Sequence, residues 1–372
     1  MSGEPAKRKR PRAPRWARAF VAVGALLSVT SGVALAGIQI LVSRYANSVA
    51  TEDLLGDSAA GAAKAKVSDI KGPLNILLVG IDPRKAETRP LADSIMVAHV
   101  PAGLKEVFLF SMPRDLLVDI PAFDKNGFGG ARDKLNAAMS YGSVVPTGNP
   151  NTARGFELLS RTVSKRTGIR PFSAGAIINF AGFKEIVDAM GGVTMTIDER
   201  TRSEHLKPDG TGRTLGPSRL HYIGPQKVYE KGTQHLKGWE ALDFVRQRYG
   251  LKGSDYARQR HQQQFVKAMA EQALSKNVAT NPVKLDKVLR AAGQALIFDG
   301  KGHTVVDWGL ALKGISPQNI TMIKLPGGAE IVGGDYRGEV LRDSADEFFA
   351  ALESDTLAQF VVEHPEFINT AR

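Results

Sequence analysis

The stretch EVFLFSMPRDLLVDIP, residues 106–121, decides how the chain is read. A mostly apolar run spans 107–112, Pro113 ends it, and the charged pair Arg114–Asp115 follows at once. A proline at a strand's end fixes the exit of the chain and removes a backbone donor; here that exit delivers a guanidinium. Residues 94–100 form a second strand-like run, joined to the first by the short loop PAGLKE. The spacing predicts an antiparallel hairpin. In a hairpin the start of one strand lies beside the end of the other, so Asp93 and Arg114 share one end of a sheet. If residues 74–79 pair antiparallel to 94–100, then Asp82 and Arg84 reach the same rim. Two carboxylates and two arginines would meet there. For any one of these residues alone, a surface ion pair at a strand end is the plainer reading.

Working outward, 175–180 and 193–197 are further strand-like runs, and helical periodicity covers 151–168, 183–190 and about 256–275. Gly191-Gly192 stops the second of these helices. Strands alternating with helices argue an α/β layered fold. Residues 199–236 are polar and dotted with Gly and Pro, long for a connection, and read as a loop or lid over a site. Beyond 281 the pattern is plainer: helical over 288–296, a strand over 321–325, helical over 343–357, all assigned to the same domain.

The 372 residues are 43% hydrophobic and 23% charged, enough apolar content for a globular core. Cysteine is absent, which excludes disulfides, thiolate metal sites and a cysteine nucleophile. The net charge of +11 is concentrated at the start: Lys7, Arg8, Lys9, Arg10, Arg12, Arg15 and Arg18 stand against Glu4 alone within the first 18 residues. Residues 19–43 then run without a charge. As a helix this segment spans roughly 37 Å, enough to cross a bilayer. Trp16 and Tyr45 sit where interfacial aromatics belong, and the basic cluster keeps the N-terminus cytoplasmic. A cleaved signal peptide is the rival, since Ala34-Leu35-Ala36 fits a cleavage site, but the apolar run continues through Ile38, Ile40, Leu41 and Val42. The adjacent anchor argues against a nucleic-acid-binding tail. The assignment is a cytoplasmic tail (1–18), a transmembrane anchor (19–43), a juxtamembrane stalk (44–71) and an extracytoplasmic domain (72–372) whose motif core spans 74–271.

The second half of a site comes from ALDFVRQR and SDYARQRHQQQ. Asp255 suits a helix N-cap, and Arg258 and Gln262 lie four apart on one helical face. Phe265, Val266, Met269 and Ala273 mark the core-facing stripe. Arg246 and Arg248 point the same way in a strand but splay at a helix end. Together Arg246, Arg248, Arg258 and Gln262 suit a polyanion, because the guanidinium fork matches phosphate; a solvated basic helix face is the alternative. No Gly-x-Ser-x-Gly elbow, Walker A loop or His-Glu-x-x-His motif occurs, and the seven histidines are scattered.

Seven pieces, in order from about Asn75 to Phe265, resemble the LytR–CpsA–Psr family of cell-wall glycopolymer transferases: NILLVGIDPR, LADSIMVAHV, SMPRDLLVDIP, DKLNAAMSYG, INFAGFKEIVDAMGGV, GWEALDFVRQR and DYARQRHQQQ. The resemblance implies a membrane-anchored α/β fold, an α/β/α layered domain with a central mixed or antiparallel sheet, that binds a polyprenyl-pyrophosphate-linked glycan, its tail in an apolar tunnel. It implies transfer of the glycan phosphate to a peptidoglycan acceptor with Mg²⁺ as cofactor. By the same resemblance, Arg114, Lys134, Arg246, Arg248, Arg258 and Gln262 are expected pyrophosphate ligands, and Asp82 and Asp93 metal or acid–base carboxylates. Asp82, Asp93 and Arg114 make up the expected catalytic set. Such transfer needs charge neutralisation and alignment more than a protein nucleophile. Two places depart from the family pattern: Leu91, with Arg89 nearby, replaces an arginine two before Asp93, and His261 replaces a second arginine. Hydrolysis of the same pyrophosphate and a non-enzymatic lipid- or glycan-binding regulator are the alternative functions.

Overall fold

The computed structural model describes residues 49–56, 66–83, 85–169, 171–218, 221–279 and 281–369. The basic tail, the expected anchor at 19–43 and Arg84 lie outside the described residues. Among the described residues no helix is long and apolar enough to cross a membrane.

The central sheet is built from β1 (Ala50–Thr51), β2 (Leu74–Ile81), β3 (Ala92–Val100), β4 (Val107–Ser111), β5 (Ala174–Asn179), β6 (Leu296–Asp299) and β7 (Ile320–Ile323), in the order β1-β6-β5-β2-β3-β4-β7. The expected hairpin is present, with Met96 opposite Ser111, and β2 runs antiparallel to β3 from the Leu74–Val100 pair onward. β5 lies parallel to β2 and β7 parallel to β4, so the sheet is mixed. The helices that matter here are α1 (Leu135–Gly142), α2 (Thr152–Thr167), α3 (Phe180–Ala189), α4 (Gly238–Arg246), α5 (Asp255–Leu274), α6 (Pro282–Ala295) and α7 (Ser344–Glu353). Local chemistry sets several ends. The Asn151 side chain accepts from the Arg154 N–H to start α2, and Gly168, at φ +78°, ends it. The Asn179 side chain accepts from the Gly182 N–H to start α3.

Strand alternation divides the interior in two. On one face Leu77, Val79, Ile95, Val97, Phe108 and Phe110 pack with Met139 of α1, Phe156 and Leu159 of α2 and Phe348 of α7. On the other face Leu78, Gly80, Ser94 and Met96 look toward α3 and α5. There, with Phe180, Phe183, Phe265, Val266 and Met269, they line an apolar cavity of about 230 Å³. Helices thus cover both faces, and the layered α/β/α arrangement follows.

Several expectations need correction. The strand Val193–Ile197 forms but pairs with Gly232–Leu236 in a separate ladder, outside the central sheet. The supposed loop at 199–236 therefore carries β structure, including the short ladders Thr201–Arg202 with Val228–Tyr229 and Thr214–Leu215 with Tyr222–Ile223. The helix expected over 343–357 breaks in two, α7 and Leu357–Glu363, because Asp355 turns left-handed at φ +54°. Its carboxylate is held there by His99 Nε2 at 3.1 Å and the Ala102 N–H at 3.2 Å. Ala273 is exposed rather than part of the core stripe. Part of the segment read as a stalk belongs to the domain: β1 pairs with β6, Leu54 is fully buried, and the Leu54 and Leu55 N–H groups donate to Asp299 Oδ2 at 3.0 and 3.1 Å.

If residues 49–56 are integral to the fold, Leu54→Ala in the full chain costs about 2–5 kcal/mol in urea unfolding, the usual penalty for emptying a core leucine site. A loss below about 0.5 kcal/mol would mean the segment detaches freely.

Candidate functional site

A register shift presents Asp93. Gly80 pairs with Ser94, but Ile81 pairs with Ala92, so Asp93 is left as the extra residue of a bulge. Strict alternation with Ile95 and Val97 would have turned residue 93 into the core. Instead Ala92 fills that core place, and Asp93 turns to the rim. Across the hairpin the Met112 N–H bonds Ile95 O, Pro113 turns the chain, and the Arg114 carbonyl accepts from Asn136 N–H at 2.9 Å. Arg114 Nη1 then donates to Asp93 Oδ1 at 2.7 Å.

The other arginines arrive from α4 and α5. Arg246 is the last residue of α4, and the chain leaves the helix extended at Gln247 (φ −68°, ψ 137°). Buried Gln247 fixes that exit by donating from its side-chain amide to the Asp243 backbone carbonyl and carboxylate at 2.8 Å, while its side-chain Oε1 accepts from Glu204 N–H at 2.9 Å. The helix-end alternative therefore holds for Arg246 and Arg248, yet both reach one cavity. On α5, Gln263 donates to Ser111 Oγ at 3.0 Å and Ile323 O at 2.9 Å, which locks the helix over β4 and β7. His261 bonds Asp198 through Nε2 at 3.0 Å and stacks on Phe244. With these two faces committed, Arg258 and Gln262 turn to the rim. Asp255 is the first helical residue, not the N-cap, which is Ser254 at φ +47°; its carboxylate lies 2.8 Å from Arg258 Nη2.

The result is a cavity of about 230 Å³ lined by Asp82, Asp93, Arg114, Phe180, His205, Arg246, Arg248, Arg258 and Gln262. Arg246 Nη2 donates to Asp82 Oδ2 at 2.9 Å, and its guanidinium lies 4.9 Å from the centre of the Phe180 ring. Gln262 accepts from Ser94 Oγ at 2.9 Å. Four guanidiniums face two carboxylates, so the cavity is short of negative charge. Arg258 is only 6% exposed. Burial pulls its pKa below the ordinary arginine value; Asp255 opposes this, and the charge of Arg114 adds to it. An arginine stays protonated nonetheless. The Nε–H groups of Arg114 and Arg258 are buried and make no hydrogen bond among the described residues, although Asp115 Oδ2 faces Arg114 Nε at 3.8 Å. Buried donors without a hydrogen bond carry an energetic cost that an anion would relieve.

Phe180 and Gln262 also line the apolar cavity under α3 and α5. The charged site and the greasy one share a wall.

Some expected residues fall elsewhere. Lys134 does not line the cavity; its Nζ sits 3.6 Å from Asp115 Oδ1, and Asp115 in turn faces Arg114 Nε at 3.8 Å. Arg89 and Leu91 are exposed and outside the lining. Arg260 does not stand in for the missing arginine, because it pairs with Asp198 and Glu199. His205 is the site residue that the sequence did not single out. It comes from the 199–236 segment, whose start is anchored where Ser203 Oγ donates to buried Asp243 and accepts from the His205 and Leu206 N–H groups. Tyr229 donates to the same Asp243 carboxylate at 2.8 Å. Burial raises the pKa of Asp243 against the hydrogen bonds of Tyr229 and Ser203.

Two acidic groupings bear on metal binding. Asp198, Glu199 and His261 cluster closely, but Arg260 already occupies both carboxylates. In the cavity, Asp82 and Asp93 each give one oxygen to an arginine and keep a second. Two carboxylates with phosphate and water oxygens suit Mg²⁺, which takes few protein ligands.

The fold and site define a layered α/β domain with an arginine-lined cavity set against an apolar one. Residues 40–354 match the LytR_cpsA_psr family model, and the chain belongs to that family. It is 28% identical over 236 residues to the polyisoprenyl-teichoic acid–peptidoglycan teichoic acid transferase TagU of Bacillus cereus, covering 59% of this chain and 64% of that protein. It is 26% identical over 357 residues to the cell wall biosynthesis protein LcpA of Corynebacterium glutamicum, covering 89% of this chain and 63% of that one. The matches thus span less than two thirds of each relative's length. The crystal structure of Bacillus subtilis TagV shares the fold, with a TM-score of 0.57 and 21% identity over 77% of this chain and 98% of that one.

If the cavity takes phosphate oxygens, inorganic pyrophosphate at 100 times its Kd stabilises the full chain by about 2.7 kcal/mol, seen as a rise in Tm. Arg248→Ala removes most of that rise; an unchanged Tm for the unsubstituted chain would contradict the assignment.

The α5 anchor has its own pH signature. Burial alone would raise the Asp198 pKa, but the His261 hydrogen bond and charge, followed by Arg260, outweigh it and bring it from 3.8 to about 2. A depressed carboxylate stabilises the fold above its unfolded value, and this is lost as pH falls through the folded value. The stability gap between the unsubstituted chain and Asp198→Asn should therefore include roughly 2 kcal/mol above pH 4 that disappears by about pH 2. A gap that stays constant across that window would refute the anchor.

Proposed function

We propose that the protein is a membrane-anchored extracytoplasmic phosphotransferase. In this reading it moves a phosphate-linked glycan from a polyprenyl-pyrophosphate carrier to a peptidoglycan sugar hydroxyl. The observation that carries this is the shared wall: an anion cavity with spare guanidinium donors adjoins an apolar cavity through Phe180 and Gln262. A lipid pyrophosphate has that same bipartite chemistry. The family and the activity that TagU is named for agree with it, and the uncharged run at 19–43 supplies the anchor.

In the mechanism, Arg114, Arg246, Arg248 and Arg258 seat the two phosphates while the first isoprenoid units enter the apolar cavity. The acceptor oxygen attacks the sugar-side phosphorus in line. Its bond to the bridging oxygen breaks, and polyprenyl phosphate leaves with that oxygen. The hydroxyl proton passes to Asp93 and then to water. Asp93 suits this role because Arg114 orients one carboxylate oxygen and leaves the other available. Arg258 and Arg114 offer Nε–H groups that make no hydrogen bond to charge building on the phosphoryl oxygens. Asp82 and Asp93 would hold Mg²⁺, which when bound adds neutralisation of the phosphate charge.

The full-length protein in detergent, with Mg²⁺, a polyprenyl-pyrophosphate glycan and peptidoglycan strands, should yield glycan joined covalently to peptidoglycan. Arg114→Ala and Asp93→Asn should each lower kcat about 100-fold or more. Phosphorylated free glycan formed regardless of acceptor would instead mean hydrolysis. No turnover at all, with donor still bound, would favour a non-enzymatic carrier or regulator.

A further inference from the structure

A second cavity of about 480 Å³ lies beside the arginine site, and Arg248 lines both. The new cavity carries the carboxylates of Asp115, Asp255 and Glu339 and the rings of Tyr249, Tyr256 and Tyr336. The partition between the two is made of ion pairs. Asp115 faces Arg114 Nε at 3.8 Å, and Asp255 faces Arg258 Nη2 at 2.8 Å. Glu339 is buried beneath the rings, accepting from Tyr256 at 3.2 Å and Tyr336 at 3.1 Å. Its N–H donates to the Asp115 carbonyl, which ties the strand Asp335–Leu341 to the segment that presents Arg114.

The chemistry of this cavity is opposite to its neighbour's. Its lining holds three carboxylates and one cation, Arg248, while Arg114, Lys134 and Arg258 reach Asp115 and Asp255 from outside the lining, so the cavity offers phosphate few donors of its own. The three carboxylates do not converge as ligands to one cation, since the only such grouping among the described residues is at Asp198. Tyrosine rings beside carboxylates favour a neutral polyhydroxylated ring, with hydroxyls donating to the acids and the C–H face lying on an aromatic. The volume falls in the range that encloses small ligands. Tyr336 and Tyr249 are 46% and 59% exposed; Lys134 Nζ lies 5.1 Å from the Tyr336 ring centre and the Arg248 guanidinium 4.9 Å from that of Tyr249, so each ring has one face covered by a cation and the exposed remainder is left to such a ring.

We propose that this cavity seats a sugar ring of the acceptor glycan and delivers one hydroxyl past Arg248 to the phosphorus. The inference rests on the transferase reading for the identity of its ligand. It adds where the acceptor binds: the donor occupies the basic cavity, the acceptor the acidic one, and the reacting atoms meet at the partition. The bonds made and broken are those of the transfer step, with the acceptor oxygen becoming the new phosphodiester oxygen.

The test uses the full-length protein in detergent and a muramoyl-peptide disaccharide as probe, read by saturation-transfer NMR and by the acceptor KM. Tyr336→Ala should weaken probe binding and raise the acceptor KM about tenfold, while the Tm rise caused by inorganic pyrophosphate stays unchanged. Tyr336→Phe, which keeps the ring, should restore most of the binding. If the probe does not bind the unsubstituted protein, or binds Tyr336→Ala equally well, the proposal is overturned. If the probe binds and depends on Tyr336 but no glycan is transferred, the sugar seat stands and the transferase reading falls.

Discussion

Taking a guanidinium out of water costs several kcal/mol unless a counter-charge goes with it. Arg258 is nearly enclosed, has Asp255 as its close acidic partner, and shares its cavity with Arg114, Arg246 and Arg248. Much else in the domain serves to hold that arrangement in place. Gln263 and His261 fix the rotation of α5, Gln247 fixes the exit from α4, and a bulge in β3 brings Asp93 round to meet Arg114. A fold selected for stability alone would not gather four like charges around a hollow.

The two faces of the sheet divide the labour. One is a close-packed core in which Phe110 meets Phe348 edge-on, and this rigid layer supports the site. The other is left open beneath α3 and α5. The same strands thus supply structural apolar residues on one side and cavity walls on the other, and their ends carry the charged rim. Three compartments meet there: basic, apolar and acidic. Phe180 and Gln262 form one shared wall, and Arg248 stands in the other.

Much of the rim was legible in the sequence because it follows from strand pairing. A short loop between two apolar runs fixes which ends meet, so Asp93, Arg114 and Asp82 could be placed together before any coordinates. The i,i+4 spacing of Arg258 and Gln262 was equally direct. What stayed hidden depends on tertiary context. The bulge at Asp93 changes register without a turn residue to mark it. Lys134 matched a family motif, but Asp115 stands between it and the cavity. Ala273 fitted the helical period, yet it faces solvent while its neighbour Gln272 still donates to the Met190 carbonyl at 3.2 Å. His205 and Glu339 come from segments whose path over the site no local pattern specifies. The apolar cavity is space rather than residues, and only the packed helices define it.

The central claim is that one lipid headgroup is held by arginines from three separate stretches of chain while its tail lies in the neighbouring hollow. The most direct measurement is a crystal structure of the protein with a short prenyl pyrophosphate. The account predicts phosphate oxygens bonded to the Nε–H groups of Arg114 and Arg258, and the hydrocarbon between Met96, Phe183 and Met269. Phosphates bound on another surface, or a tail directed into solvent with that hollow closed, would contradict it.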